Sequence, residues 1–194
     1  ALSEGRSVRE IDLTADQRKD LTSLALLSAK PVLYVANIGE HEIDGDSAHA
    51  QAVFDYAASH GGQAAAVCAK LEAELVDIDP AERQEMLEAM GLDEPALNVL
   101  ARATFRLLGL HSFFTAGPKE VRAWVCRQGA SAPEAAGVIH SDIERGFIRL
   151  EVYSVDDLVE HRSEPAIKAA GRMRTEGKSY VVQDSDVCHF LFNI

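Results

Sequence analysis

Apolar positions change their spacing near residue 110, and the change divides the chain. In the first part they form short unbroken runs or recur at helical spacing. Val32 to Ala36 is a continuous apolar run, opened by Pro31 and closed by Asn37-Ile38-Gly39. Such a run between breakers predicts a strand buried on both faces, as in parallel sheets. A second small run, Ala64 to Cys68, predicts its partner. Between them, a polar loop with Asp44 and Gly45 should lead into a helix from about Asp46 to His60. Ala50, Val53, Phe54 and Ala57 give that helix its apolar face, and His60-Gly61-Gly62 ends it. Ahead of the first strand, Thr14-Ala15-Asp16-Gln17 predicts a capping box. The helix it opens would carry Leu21, Leu24, Ala25 and Leu27 on one side until Pro31 stops it. Helix, strand, helix, strand is α/β order.

The middle is helical. Asp79 caps and Pro80 starts a helix of about residues 80–90, ended by Gly91. A second, about 94–108, has Leu97, Leu100, Ala101, Thr104, Phe105 and Leu108 at i, i+3, i+4, i+7 spacing, and Gly109 stops it. These two helices are expected to brace two domains. From His111 the texture is β-rich: Ser112–Thr115, Val121–Cys126, Phe147–Val155, Tyr180–Val182 and Val187–Phe192. One or two helices join them, one of about residues 164–175 capped by Ser163. Alternation in Val121/Ala123/Val125 and Val187/His189/Leu191 suits strands with one covered face. The pattern predicts a compact α+β domain of β-grasp type.

Composition narrows the class. The net charge of −12 argues against a general nucleic-acid binder, and no DNA partner is expected. The acidity is concentrated in residues 1–110, which hold 9 basic and 19 acidic side chains against 10 and 12 in the remainder. No run approaches the ~20 apolar residues of a membrane span, so no membrane is expected, and no signal peptide is read. Cys68, Cys126 and Cys188 stand alone with no Cys-x-x-Cys or Cys/His cluster. No metal site is expected, and a reducing cytoplasm is the natural setting. The chain opens at Ala1 inside a polar segment and reads as a fragment of a longer protein.

The candidate chemistry lies where the first strand ends. In open α/β sheets, ligands sit outside the carboxyl ends of the strands, which is the position of Asn37 and Glu40. The amide offers a donor and an acceptor, the carboxylate only an acceptor, and together they suit the edge of a planar base. Taken alone, Asn37 and Gly39 are equally ordinary turn residues. The context is strand, Asn37-Ile38-Gly39-Glu40, helix, strand, Cys68-Ala69-Lys70. This order resembles the two base-reading loops of P-loop GTPase-like domains, with Asn-Lys-x-Asp replaced as in the Obg-like ATPase (YchF) family.

The second half is similar to the same family over longer motifs. Phe114-Thr115-Ala116-Gly117-Pro118-Lys119-Glu120-Val121-Arg122-Ala123-Trp124, the stretch from Ala132 to Ile148, Gly177 to Asp186, and Phe190-Leu191-Phe192-Asn193 resemble its carboxy-terminal TGS domain. Pro118 and Ser185 depart from the family pattern; Ser185 stands where a glycine is usual. The resemblance covers essentially the whole chain. It implies the α/β end of a P-loop NTPase domain followed by an α+β β-grasp (TGS, ubiquitin-like) domain. Residues 1–30 would end a helical (coiled-coil) insertion, 31–78 would be the carboxy-terminal part of the nucleotide domain, 79–110 a helical connector, and 111–194 the TGS domain. It implies ATP hydrolysis with Mg2+ in the intact protein, adenine being preferred over guanine, with GTP as the other nucleotide to test. The base would be read by Asn37, Glu40, Cys68, Ala69 and Lys70: Asn37 bonding the purine, the Ala69 backbone approaching its edge, the Lys70 stem beside it.

No catalytic residue is expected within this chain. Gly177-Lys178-Ser179 imitates the end of a Walker A motif, but Gly171 is one residue too early, and the segment should follow a helix and precede a strand. With no other phosphate-cradling loop, the chain by itself should not hydrolyse nucleotide. His140 is the histidine most worth locating. Arg162, Lys168, Arg172, Arg174 and Lys178 cluster around the last expected helix, where Lys168 and Arg172 would share a face. They present either a solvated surface or a contact with the ribosome or ribosomal RNA. The alternative reading of the whole is a non-enzymatic TGS-containing adaptor or an RNA- or ribosome-binding module.

Overall fold

In the computed structural model, which describes residues 2–43 and 46–193, the chain divides into two units, Ala1–Leu108 and Gly109–Ile194. In the first unit, 3-10 turns at Leu2–Glu4 and Val8–Glu10 precede helix α1 (Ala15–Thr22). The expected capping box opens it. The Thr14 hydroxyl accepts from the Gln17 N–H at 3.3 Å, and the Gln17 side chain accepts from the Thr14 N–H at 2.9 Å. The helix stops before the apolar spacing does. Ala25 takes a φ of 47°, and the chain re-coils only as a 3-10 turn at Leu27–Ala29. A left-handed residue breaks the i to i−4 ladder, so Leu21 and Leu27 do not share a helical face, and Leu24 and Leu27 are exposed.

Strands β1 (Leu33–Asn37) and β2 (Gln63–Val67) pair in parallel, with Asn37 opposite Val67. Between them lie a 3-10 turn at Glu40–Glu42 and helix α2 (Ala48–Ser59), whose N-cap Ser47 hydroxyl accepts from the Ala50 N–H at 3.2 Å. The polar loop expected at Asp44 and Gly45 lies outside the described residues. Gly62 lets the chain return close to β1, since a Cβ there would lie 2.7 Å from the Tyr34 ring. Burial on both faces is not met for β1: Ala36 is buried but Val35 is 49% exposed. With one pairing partner among the described residues, β1 lacks the neighbours that cover an internal strand.

Helix α3 (Ala69–Val76) begins directly after β2 and was not expected from the spacing. α4 (Pro80–Ala89) follows as expected, its first turn held by the Asp79 carboxylate accepting from the Ala81 N–H at 3.0 Å. The stripe on α5 (Ala96–Leu107) is corrected: Leu97, Ala101, Thr104 and Leu108 are exposed, and the partly covered positions are Ala96, Val99, Leu100, Ala103, Phe105 and Leu107. The core of this unit gathers Cys68, Leu71, Leu75 and Leu87, with Ile38, Ile43, Met86 and Leu92 against it.

The second unit runs β3 (Leu110–Ala116), β4 (Val121–Arg127), α6 (Ala132–Ile139), α7 (Ser141–Arg145), β5 (Phe147–Ser154), α8 (Val155–His161), α9 (Glu164–Ala169), β6 (Arg174–Glu176) and β7 (Asp186–Phe192). Its sheet has the order β4-β3-β7-β5-β6, with β3 and β7 parallel and every other pair antiparallel. One face packs on α6 through Phe113, Cys126, Leu150, Val152 and Cys188, with Ala132, Ala135 and Ala136 beneath the helix. The alternate residues Val187 and Tyr153 pack on Ile167, Leu158 and Met173 of the opposite side. An irregularity between Phe147 and Arg149 shifts the register of β5, which lets Phe147 and Leu150 enter the same core.

Four expectations change here. The helix at 164–175 ends at Ala169, where Gly171 at φ 70° turns the chain, and residues 174–176 become a strand. Tyr180–Val182 forms only an isolated bridge from Val181 to Ser131. On β4, Val121, Ala123 and Val125 are exposed, while Trp124 and Cys126 face the covered side. Three further helices appear, and two carry readable boxes. Glu134 accepts from the Ser131 N–H at 2.7 Å to open α6, and Asp157 accepts from the Ser154 N–H at 3.1 Å to open α8.

Candidate functional site

The expected base-reading residues meet where β1 and β2 end side by side. Parallel pairing puts Asn37 and Val67 level, and the Ile38 N–H donates to the Val67 carbonyl at 2.9 Å. The two chains therefore leave the sheet together, one into the 3-10 turn at Glu40 and the other into α3. Across this gap the Asn37 Oδ1 accepts from the Ala69 N–H at 3.1 Å. That bond uses the acceptor end of the amide and leaves the NH2 end as a donor. It also satisfies one of the free N–H groups of the first turn of α3. Cys68 occupies the N-cap position of α3 without a side-chain cap, and its thiol is buried in the core.

Glu40 and Lys70 form the second tie across the gap. Lys70 Nζ lies 2.9 Å from Glu40 Oε1 and 3.8 Å from Glu74 Oε1, the latter one turn along α3. The Glu40 carboxylate holds the lysine pKa above its ordinary value, through its hydrogen bond first and its charge second. The pair is solvent-facing, with side-chain exposures of 70% for Lys70 and 41% for Glu40. Sequence reasoning missed two supports. Glu72 accepts from the Ala96 N–H at 2.7 Å, so a carboxylate on α3 caps α5. The Glu42 carboxylate accepts from the Gly39 N–H at 3.3 Å, which closes the turn after β1. Glu72 is readable only as an acidic residue in the first turn of α3. Its partner comes 24 residues later, with no local pattern linking the two.

The basic residues do not share one helical face. Arg162 ends α8 at φ 65°, Lys168 lies in the last turn of α9, and Arg172 is beyond it, 4.0 Å from Asp157. Arg174 is on β6, where its guanidinium donates to the Tyr180 hydroxyl at 3.0 Å and lies 3.8 Å from the buried Asp186. Tyr180 in turn donates to Asp186 at 2.8 Å, and burial foremost pushes the phenol up to about 12. Lys178 sits in the turn after β6 with no helix following it, so Gly177-Lys178-Ser179 has no phosphate-cradling context. His140 caps α7: its Nδ1 accepts from the Asp142 N–H at 3.1 Å. Cys126 lies 3.1 Å from His111 Nε2, but burial and then Asp184 push its pKa to about 11, which keeps it a thiol. No group of three or more His, Cys, Asp or Glu among the described residues could hold a metal ion. No helix among them is long and apolar enough to cross a membrane.

The chain is similar to known proteins along its length. The family model YchF-GTPase_C, described as a protein of unknown function (DUF933), matches residues 110–193. The chain is 44% identical over 196 residues to the Ribosome-binding ATPase YchF of Bacillus subtilis, covering 100% of this chain and 54% of that protein. It is 42% identical over 193 residues to the protein of the same name from Escherichia coli O157:H7, covering 53% of it. The structure of the Schizosaccharomyces pombe YchF GTPase superposes with a TM-score of 0.81 at 30% identity, over 97% of this chain and 50% of that one. The chain thus spans about half the length of the curated relatives it matches.

Proposed function

The chain belongs to the YchF family, matching the carboxy-terminal half of its relatives, and from this premise we propose that it supplies the base-reading loops of an ATP-hydrolysing P-loop NTPase. The observation that carries this reading is the bond between Asn37 Oδ1 and the Ala69 N–H, 32 residues apart in sequence. A side chain oriented by the backbone of the opposite loop has one polar end left, and that end donates. Purine N7 is an acceptor of matching kind. The Ala69 backbone and the Lys70 stem then flank the base. Phosphates, and Mg2+ bound to them, are assigned to the part of the relatives' length that this chain does not match. The described residues offer no metal ligand set of their own.

The two-stranded parallel sheet supports the same reading. All-parallel sheets occur almost only with both faces covered and two strands alone are marginal, yet β1 exposes Val35. Residues 31–78 are read as the last strands of a larger nucleotide domain. Residues 111–194 are read as a TGS domain of β-grasp form, with α6 across one face of a mixed sheet whose parallel pair β3 and β7 is internal. The relatives carry ribosome binding in their names, and we extend to this chain a cytoplasmic, ribosome-associated role. Of the basic residues, Arg162, Lys168 and Lys178 are the first candidates for RNA phosphates, Arg172 lying 4.0 Å from Asp157 and Arg174 being engaged with Tyr180.

Calorimetry on the full-length protein with Mg·ATP tests the base site. Asn37→Ala should weaken ATP binding by about 1–3 kcal/mol, the range for leaving a polar partner unsatisfied. Unchanged ATP affinity would remove Asn37 from the site. The 194-residue chain alone should show no ATP turnover.

A further inference from the structure

The Asn37 bond leaves one element of the site without a task. Glu40 stands where a base-reading carboxylate is expected, yet the chain's resemblance implies adenine. A carboxylate accepts only. Guanine's edge offers an amine with a ring N–H beside it, two parallel donors that fit the two oxygens of one carboxylate. Adenine offers a single amine beside a ring acceptor. A free Glu40 in this place would therefore draw guanine into the site.

Glu40 is not free. Its Oε1 is held by the Lys70 ammonium at 2.9 Å, and Lys70 is anchored on its own helix by Glu74 at 3.8 Å. Lys70 directly follows Ala69, whose N–H is fixed to Asn37. The same two segments are thus tied twice, once by a neutral bond and once by an ion pair. The ammonium occupies one lone pair of Oε1 and offsets the carboxylate's negative charge, so the pull of Glu40 on two parallel donors is weakened. We propose that Lys70, by holding the Glu40 carboxylate, is a specificity-determining residue that makes the base site reject guanine. The inference rests on the base-site reading above. In the open site the pair is solvated and contributes little to folding. Its weight rises when a bound base excludes water, because the charges then interact in a lower dielectric.

The test uses full-length protein, freed of nucleotide, with ATP and GTP affinities measured by calorimetry in Mg2+ at one ionic strength. Lys70→Met keeps the aliphatic stem and releases Glu40. GTP affinity relative to ATP should rise about tenfold, the size of one charge-assisted hydrogen bond. Adding Glu40→Gln to Lys70→Met should remove that gain, and Lys70→Arg should keep the wild-type ratio. Thermal melts check that each variant is folded, which the exposure of both side chains favours. A wild-type ratio in Lys70→Met, or a gain that survives in the double variant, overturns the proposal. If ATP binds and Asn37→Ala weakens it while Lys70→Met changes nothing, only this inference falls. If the wild-type protein binds neither nucleotide, the base-site reading falls, and this inference with it.

Discussion

Residues 109–194 carry a five-stranded sheet packed on both faces, whereas residues 1–108 carry two strands with Val35 half exposed beside them. The contrast extends to the cores. Among the described residues, the largest fully buried side chains are Phe113, Leu150, Val152, Ile167 and Val182 in the second unit and Leu71 and Leu87 in the first. Both units leave large apolar side chains exposed, Leu24, Leu27 and Leu97 in the first and Val121, Ile148 and Val159 in the second, so the difference between them lies in the sheet and the buried core. The candidate base site lies on the unit with the smaller core. Its two loops are aligned by a sheet of two strands.

The strongest way to break this comparison is dissection. Residues 109–194 expressed alone should unfold in one cooperative transition by circular dichroism. Residues 1–108 alone should give a broad or absent transition, because two strands with a small core are marginal. Equal cooperativity in both fragments would refute the distinction. Next in size, Phe113→Ala should destabilise the second unit by about 3–5 kcal/mol, a value typical of a buried aromatic removed from a packed core. Denaturant titration of the 109–194 fragment would measure it, and a loss below ~1 kcal/mol would mean that this core tolerates the cavity.

A smaller effect concerns Ser185. It holds a φ of 66° just before β7, where its N–H donates to the Ser112 carbonyl of β3 and its carbonyl accepts from the Val155 N–H. A side chain pays a steric penalty in this left-handed region, and the chain resembles a family with glycine there. Ser185→Gly should raise stability by about 0.5–1 kcal/mol, read as a shift in the denaturation midpoint; a lower midpoint would contradict it. The smallest effect is acid sensitivity. Glu134, Asp142 and Asp157 are held below their ordinary pKa, Glu134 and Asp157 first by the Ser131 and Ser154 hydroxyls and Asp142 first by Arg145. Depressed carboxylates stabilise above their unfolded pKa and lose that contribution as pH falls through the folded one. The 109–194 fragment should therefore weaken below about pH 4, and Ser154→Ala should flatten that dependence. Lys70 has the opposite sign: its raised pKa supports the folded form below the ordinary lysine value and is lost above it.

Much of the plan was legible in the amino-acid sequence because it rests on local chemistry. Thr14 with Gln17 caps a helix, and Asp79 with Pro80 starts another. Pro31 and Asn37-Ile38-Gly39 bracket a strand, and the long motifs from Phe114 onward carry the family. These signals involve residues a few positions apart, so sequence order contains them. Tertiary structure decided what needs two distant segments. Alternation on β4 states a period of two but not its phase, and Trp124 rather than Val125 turned inward because β3 places Phe113 beside it on the covered face. The helix after Ser163 stopped at Ala169 because residues 174–176 found a pairing edge on β5. Asn37 and Glu40 were visible as a pair on one loop, but their partners Ala69 and Lys70 became partners only when β1 and β2 paired in register. Register is set by which backbone groups meet across strands, and no stretch of sequence shorter than both strands contains that information.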